Sequence, residues 1–146
     1  MKSSAFSWDL LHPMAISAFE GLASDLSEGY RLHMTGTEFR PFEGLRSPSD
    51  QQMRLVQASS KVGAWHSAHQ YGMAVDFVPF TPLGWSWDED HDWSFLSRCA
   101  SGRGLICDRP WDRPHVEHPA FRKIQHLLFP PSLAANAAKG RMELRP

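Results

Sequence analysis

The stretch SAHQYGMAVDF, residues 67–77, sets His69 and Asp76 seven positions apart in an otherwise apolar run. If 72–78 is a strand, alternation sends Met73, Val75 and Phe77 to one face and Ala74 and Asp76 to the other. An ionised carboxylate in such a run is costly unless a cation or hydrogen-bond donors satisfy it. Gly72 would let the preceding loop fold back and bring His69 to the same place, so the pair can share a metal ion. Catalytic zinc asks for three protein side chains and an open position, so a third ligand is required. WDRPHVEH, residues 111–118, offers His115 in a predicted strand behind Pro114, with Asp112 three residues earlier. A His-Asp-His set would hold zinc at about 2.0–2.2 Å. With a single carboxylate the site keeps positive charge, which favours ionisation of water and polarises a carbonyl. Glu117 shares the strand face of His115, so it is open to proton transfer or to orienting a ligand from behind. His66 and His118 lie three residues from the proposed ligands and are read as surface or supporting residues.

The elements that must position these residues read as a mixture of helices and short strands. Pro13 can start a helix in which Ala15, Phe19, Leu22 and Leu26 fall at helical spacing, with Gly29 as its stop. Tyr30, Leu32 and Met34 alternate with polar residues as a strand would, and Phe42 to Arg46 is its expected partner. Ser47, Pro48 and Asp50 form a capped helix start, and Leu55 and Val56 would anchor that helix. A loop at 59–66 follows. The acidic run Asp88, Glu89, Asp90 and Asp92 suits the positive end of a helix at 90–100, closed by Gly102. Short strands at 104–107 and 114–117 and a helix at 119–128 complete the pattern. Without βαβ alternation, the class is α+β with a small antiparallel sheet. Trp85, Trp87 and Trp93 are read first as core and second as lining for a groove.

These pieces, in this order, resemble a known family. SAHQYGMAVDF fits the pattern S-x-H-x-x-G-x-A-x-D of the M15 peptidases, and DRPHVEH fits their later D-x-P-H-x-E element. GLRSPSDQQMRL, residues 44–55, is similar to the family's upstream arginine-plus-glutamine segment, and GLIC sits where the family often has a glycine-rich strand. The family comprises zinc peptidases of peptidoglycan, among them D-alanyl-D-alanine carboxypeptidases and phage L-alanyl-D-glutamate endopeptidases. The resemblance covers roughly residues 42–118 and departs at Cys107, where the family often has tryptophan or glycine. It implies a hedgehog/D-Ala-D-Ala peptidase-like fold with one zinc ion held by His69, Asp76 and His115. It also implies that Asp112 is the general base and that Arg46 binds a substrate carboxylate or the developing oxyanion. Ser67 would support the site by hydrogen bonding, and Gln52 matches the segment's glutamine, with Gln51 beside it.

Composition bounds the rest. A chain of 146 residues, 42% hydrophobic, suits one core: a catalytic domain over 1–130 and a basic tail over 131–146. The net charge of −1 hides an uneven distribution, with 5 basic and 1 acidic residues in 121–146 against 10 and 15 before them. No basic stripe interleaved with aromatics points to nucleic acid, and no run has membrane-spanning length. Cys99 and Cys107 lack paired metal-knuckle spacing and are expected to be buried, reduced thiols. The expected partner is the peptide stem of bacterial peptidoglycan, met by a monomer. No export signal is read at the start of the chain, so the expectation is cytoplasmic synthesis and action on the wall after release, in the manner of an endolysin. That favours L-alanyl-D-glutamate endopeptidase activity; D-alanyl-D-alanine carboxypeptidase activity and a zinc-containing wall-binding module are the alternatives.

Overall fold

The computed structural model describes residues 6–31, 36–56 and 67–128. In order they form α1 (Pro13–Arg31), β1 (Glu38–Glu43), α2 (Pro48–Val56), β2 (Ala74–Thr81), β3 (Gly84–Trp85), α3 (Trp93–Gly102), β4 (His115–Glu117) and α4 (Pro119–Leu128). Two 3-10 turns, Trp8–Leu10 and Ala68–Tyr71, precede α1 and β2. The class is α+β, as expected. β2 is the axis of an antiparallel sheet: β1 runs along one edge, while β4 pairs with its first half and β3 with its end on the other. No described helix is long and apolar enough to cross a membrane.

The pleat of β2 separates core from site. Val75, Phe77, the facing Val116 and Phe39 turn to one side, where Phe19, Leu22 and Leu26 of α1 and Trp93, Leu96 and Ala100 of α3 close over them. Phe19 stacks on Phe77 at 6.5 Å between ring centroids, and Phe39 meets Trp93 edge-on at 5.4 Å. Each fully buried large apolar side chain here stabilises the fold by about 1.5–3 kcal/mol. The opposite face of β2 carries Ala74 and Asp76. Near its start, Ala68, Met73, Ala74 and Phe121 form a second, smaller cluster that seats the Ala68–Tyr71 turn and α4.

Several expectations need correction. α1 runs through Gly29 to Arg31, so Tyr30 is helical rather than the start of a strand; residues 32–35, with Leu32 and Met34, lie outside the described residues. Gly29 serves packing, because a Cβ there would stand 2.2 Å from the Phe95 ring where α3 crosses. β1 ends at Glu43, and its partner is β2. α2 starts as expected, with the Asp50 amide donating to Ser47 Oγ at 3.1 Å. Val56 does not anchor it, being 77% exposed. α3 begins at Trp93 because the Asp92 carboxylate caps it, accepting from the Phe95 amide at 3.1 Å; Asp88, Glu89 and Asp90 lie before the helix. The strand expected at 104–107 shrinks to one bridge between Ile106 and Glu117. Trp93 is core, whereas Trp85 is half-buried and Trp87 is exposed, both edge-on to Phe42. The loop at 59–66 and the tail after Leu128 lie outside the described residues.

Candidate metal centre

β2 and β4 bring the first two candidate ligands together by register alone: Asp76 and His115 are direct cross-strand partners on the face away from the main core. His69 arrives from the Ala68–Tyr71 turn. Ser67 caps that turn by accepting from the His69 amide at 3.3 Å, and Gly72 ends it in the left-handed region at φ 68°. Gly72 is required twice over, since a Cβ there would also lie 2.5 Å from the His12 amide nitrogen. His12 donates that amide to the Gly72 carbonyl at 2.9 Å, and the Arg46 amide donates to the His69 carbonyl at 3.2 Å, so the turn is held from two sides.

His69, Asp76 and His115 form a group that could hold a metal ion. His69 Nε2 is 3.1 Å from Asp76 Oδ1 and 3.3 Å from His115 Nδ1, and His115 Nδ1 is 3.7 Å from Asp76 Oδ1. The far nitrogen of each ring has its own acceptor. His69 Nδ1 donates to the Gly44 carbonyl at 2.8 Å, and His115 Nε2 donates to Glu117 Oε1 at 2.8 Å. In neutral imidazoles these bonds leave His69 Nε2 and His115 Nδ1 bare and facing a carboxylate oxygen. Three electron-rich atoms so placed repel one another unless they share a cation. Both imidazoles are buried, at 1% and 2% exposure.

The charges follow from this crowding. Burial would raise the Asp76 carboxyl, but the two imidazoles outweigh it and hold it well below the usual carboxylate range. Burial pushes His115 towards neutrality, yet its hydrogen bonds to Asp76 and Glu117 carry it upward overall. Asp112 behaves oppositely: burial first, then the charge of Asp76, raise its carboxyl against the pull of His115, His69 and Arg109. Its Oδ2 lies 3.9 Å from His115 Nδ1, and its side chain remains 40% exposed.

Glu117 is fully buried behind His115, on the ring edge away from the donor group. Arg109 Nη2 donates to its Oε1 at 2.9 Å and Arg122 Nε to its Oε2 at 3.0 Å. Arg122 in turn forks onto Asp108 with both contacts at 2.8 Å. Among the sequence-selected residues, Arg46 is buried beside Asp76, with Nη2 at 3.7 Å from Asp76 Oδ2. Gln52 lies exposed on α2. His118 caps α4, its Nδ1 accepting from the Ala120 amide at 3.1 Å, and is no member of the donor group; His66 lies outside the described residues. Both cysteines are free thiols, half-buried rather than buried as expected, and burial, then Asp108, Asp112 and Asp76, push Cys107 up to about 12. Sequence reasoning missed Glu43, which is buried and accepts from Arg46 Nε at 2.5 Å.

Neither a family model nor a curated protein matches this chain. A solved structure, that of the L-Ala D-Glu endopeptidase ChiX of Serratia marcescens, is similar to it at 27% identity, over 76% of this chain and 90% of that one, with a TM-score of 0.46.

Proposed function

We propose that this chain is a zinc-dependent peptidase of the peptidoglycan stem peptide, with residues 1–130 as the catalytic domain and 131–146 as a basic tail. The observation that carries the reading is the pair of imidazoles whose outer nitrogens are tied to Gly44 and Glu117 while their bare nitrogens converge with Asp76 Oδ1. Ligands 2.0–2.2 Å from a tetrahedral centre stand about 3.3–3.6 Å apart. The separations here, 3.1, 3.3 and 3.7 Å, bracket that edge. Two nitrogens and one carboxylate also match the donor chemistry of a catalytic zinc site. Zinc held there would polarise the scissile carbonyl and promote ionisation of water.

The remaining steps belong to the chain's own residues. Asp112 Oδ2 stands at the exposed rim of the donor group, and its raised proton affinity suits a carboxylate that takes a proton from the attacking water and returns it to the leaving amine. Glu117 is shut away from solvent and neutralised by two arginines, so it fits the orientation of His115 and not proton transfer to substrate. Ser67 holds the turn that presents His69. Arg46 provides a guanidinium beside the group, suited to a substrate carboxylate or oxyanion, and Gln52 is assigned to substrate contact on the exposed part of α2.

The resemblance of residues 42–118 to the peptidoglycan peptidases supports the substrate class, and of the stem-peptide bonds we place L-alanyl-D-glutamate first. The test is incubation of zinc-loaded protein with purified peptidoglycan and defined stem peptides, the new termini being identified by mass spectrometry. New N-terminal D-Glu is expected. Released D-Ala would make the protein a D-alanyl-D-alanine carboxypeptidase, and no product with zinc bound would make it a binding module.

A further inference from the structure

Strand β1 carries a bulge whose effect reaches the donor group. Pro41 stands opposite Phe77, yet Glu43, two residues on, stands opposite Asp76, so the register shifts between them. In a regular ladder Glu43 would oppose Val75 and point into the apolar core; the extra residue turns it to the face that carries Asp76 and His115. There it is 5% exposed, and Nε and Nη2 of Arg46 both lie 2.5 Å from its Oε1. Arg46 Nη2 is also 3.7 Å from Asp76 Oδ2. The two oxygens of Asp76 therefore have different neighbours: Oδ1 faces the imidazoles and Oδ2 faces the guanidinium. The guanidinium, held by Glu43 Oε1, stands at ion-pair distance from Asp76 Oδ2, and its charge favours the carboxylate orientation that keeps Oδ2 towards it.

Resting on the metal-centre reading above, we propose that Glu43 and Arg46 are positioning residues for Asp76, fixing its carboxylate so that Oδ1 alone is presented to the metal. Glu43 holds the guanidinium, the guanidinium holds Oδ2, and the bulge exists to bring Glu43 to that face. Arg46 then acts inward on a ligand, whatever contact it makes with substrate.

Charge and positioning predict opposite signs for one variant. Arg46→Gln removes a cation near the site, and by Coulomb attraction alone zinc would bind more tightly. If Arg46 positions Asp76, zinc binds about 10–100-fold more weakly instead. Zinc affinity is measured by competition with a chromophoric chelator, so peptidase activity is not needed. Glu43→Gln is expected to weaken zinc binding by about tenfold or more, and the double variant to be no weaker than Arg46→Gln within about twofold, because both act through one contact. Cobalt-loaded Arg46→Gln should show a weakened visible absorption band as the released carboxylate becomes bidentate and the geometry leaves tetrahedral. Should either glutamine variant fail to fold, Arg46→Lys, which keeps the charge but loses the fork, carries the test with about tenfold weaker binding expected. Zinc affinity equal to or tighter than wild type in Arg46→Gln, or within about twofold of it in Arg46→Lys, overturns the proposal. A wild-type protein that binds no zinc would instead sink the metal-centre reading itself.

Discussion

At the scale of single residues, the two sides of each imidazole divide the labour. Gly44 and Glu117 hold the outer nitrogens, and the inner ones face Asp76. Removing an outer acceptor and removing the rim carboxylate should then have separable effects. Asp112→Asn is expected to bind zinc like wild type and to lose at least about 100-fold in turnover. Glu117→Gln is expected to weaken zinc binding by about 10–100-fold. Zinc titration and stem-peptide turnover on both variants check this, and an active Asp112→Asn beside a dead, zinc-loaded Glu117→Gln would reverse the two roles. The thiol of Cys107 gives an independent check on the electrostatics. Held at about 12 rather than the ordinary 9.0, it exposes about a thousandfold less thiolate at pH 8. Its alkylation by iodoacetamide in the native protein should be slower by about that factor, with the rate still climbing above pH 10; a rate like that of a free thiol would contradict the burial and charges assigned around it. That His69, Asp76 and His115 come together was legible from residue type and spacing, because few arrangements of an apolar strand tolerate an acid. Which side of the imidazole Glu117 occupies was not legible, since strand alternation gives a face but not a ring edge. Glu43 was hidden by the bulge, which breaks the alternation that any reading of faces relies on.

At the scale of elements, two glycines do different work. Gly29 lets α3 lie against α1, with Phe95 where a Cβ would be. Gly29→Ala overpacks that crossing and should cost about 1–3 kcal/mol, with zinc affinity of the folded protein unchanged. Gly72 closes the turn that carries His69, in a left-handed conformation pressed on the His12 backbone. Gly72→Ala should lose stability and also weaken zinc binding, because backbone cannot yield as a side chain can. Denaturant melts paired with zinc titrations distinguish the two; equal zinc loss in both variants would mean that the turn does not position His69. The sequence pattern of α1 was clear from Ala15, Phe19, Leu22 and Leu26, all of which are fully buried. Its end was misread, because a glycine needed for close helix packing looks the same in sequence as one that stops a helix. β3 and the pairing of β1 with β2 were also missed: two-residue strands leave no period to detect, and partner choice depends on contacts distant in sequence.

At the scale of the whole molecule, the sheet separates an apolar core between β2, α1 and α3 from a polar face where two segments distant in sequence meet. The α+β class was legible from the mixture of short periods, whereas the convergence of 67–76 with 112–117 depends on β4 pairing with β2. Filling the donor group ties these segments together, so zinc at about 100 times its dissociation constant should stabilise the fold by about 2.7 kcal/mol. Thermal melts with and without a chelator measure that shift, and an unchanged midpoint would mean that the folded chain binds no zinc in preference to the unfolded one. The most direct test of the account is an equilibrium zinc titration of the intact protein beside His69→Ala, Asp76→Asn and His115→Ala. One ion per chain is predicted for wild type, with affinity lost by at least about 100-fold in each variant. Wild-type binding no tighter than that of the three variants would contradict it.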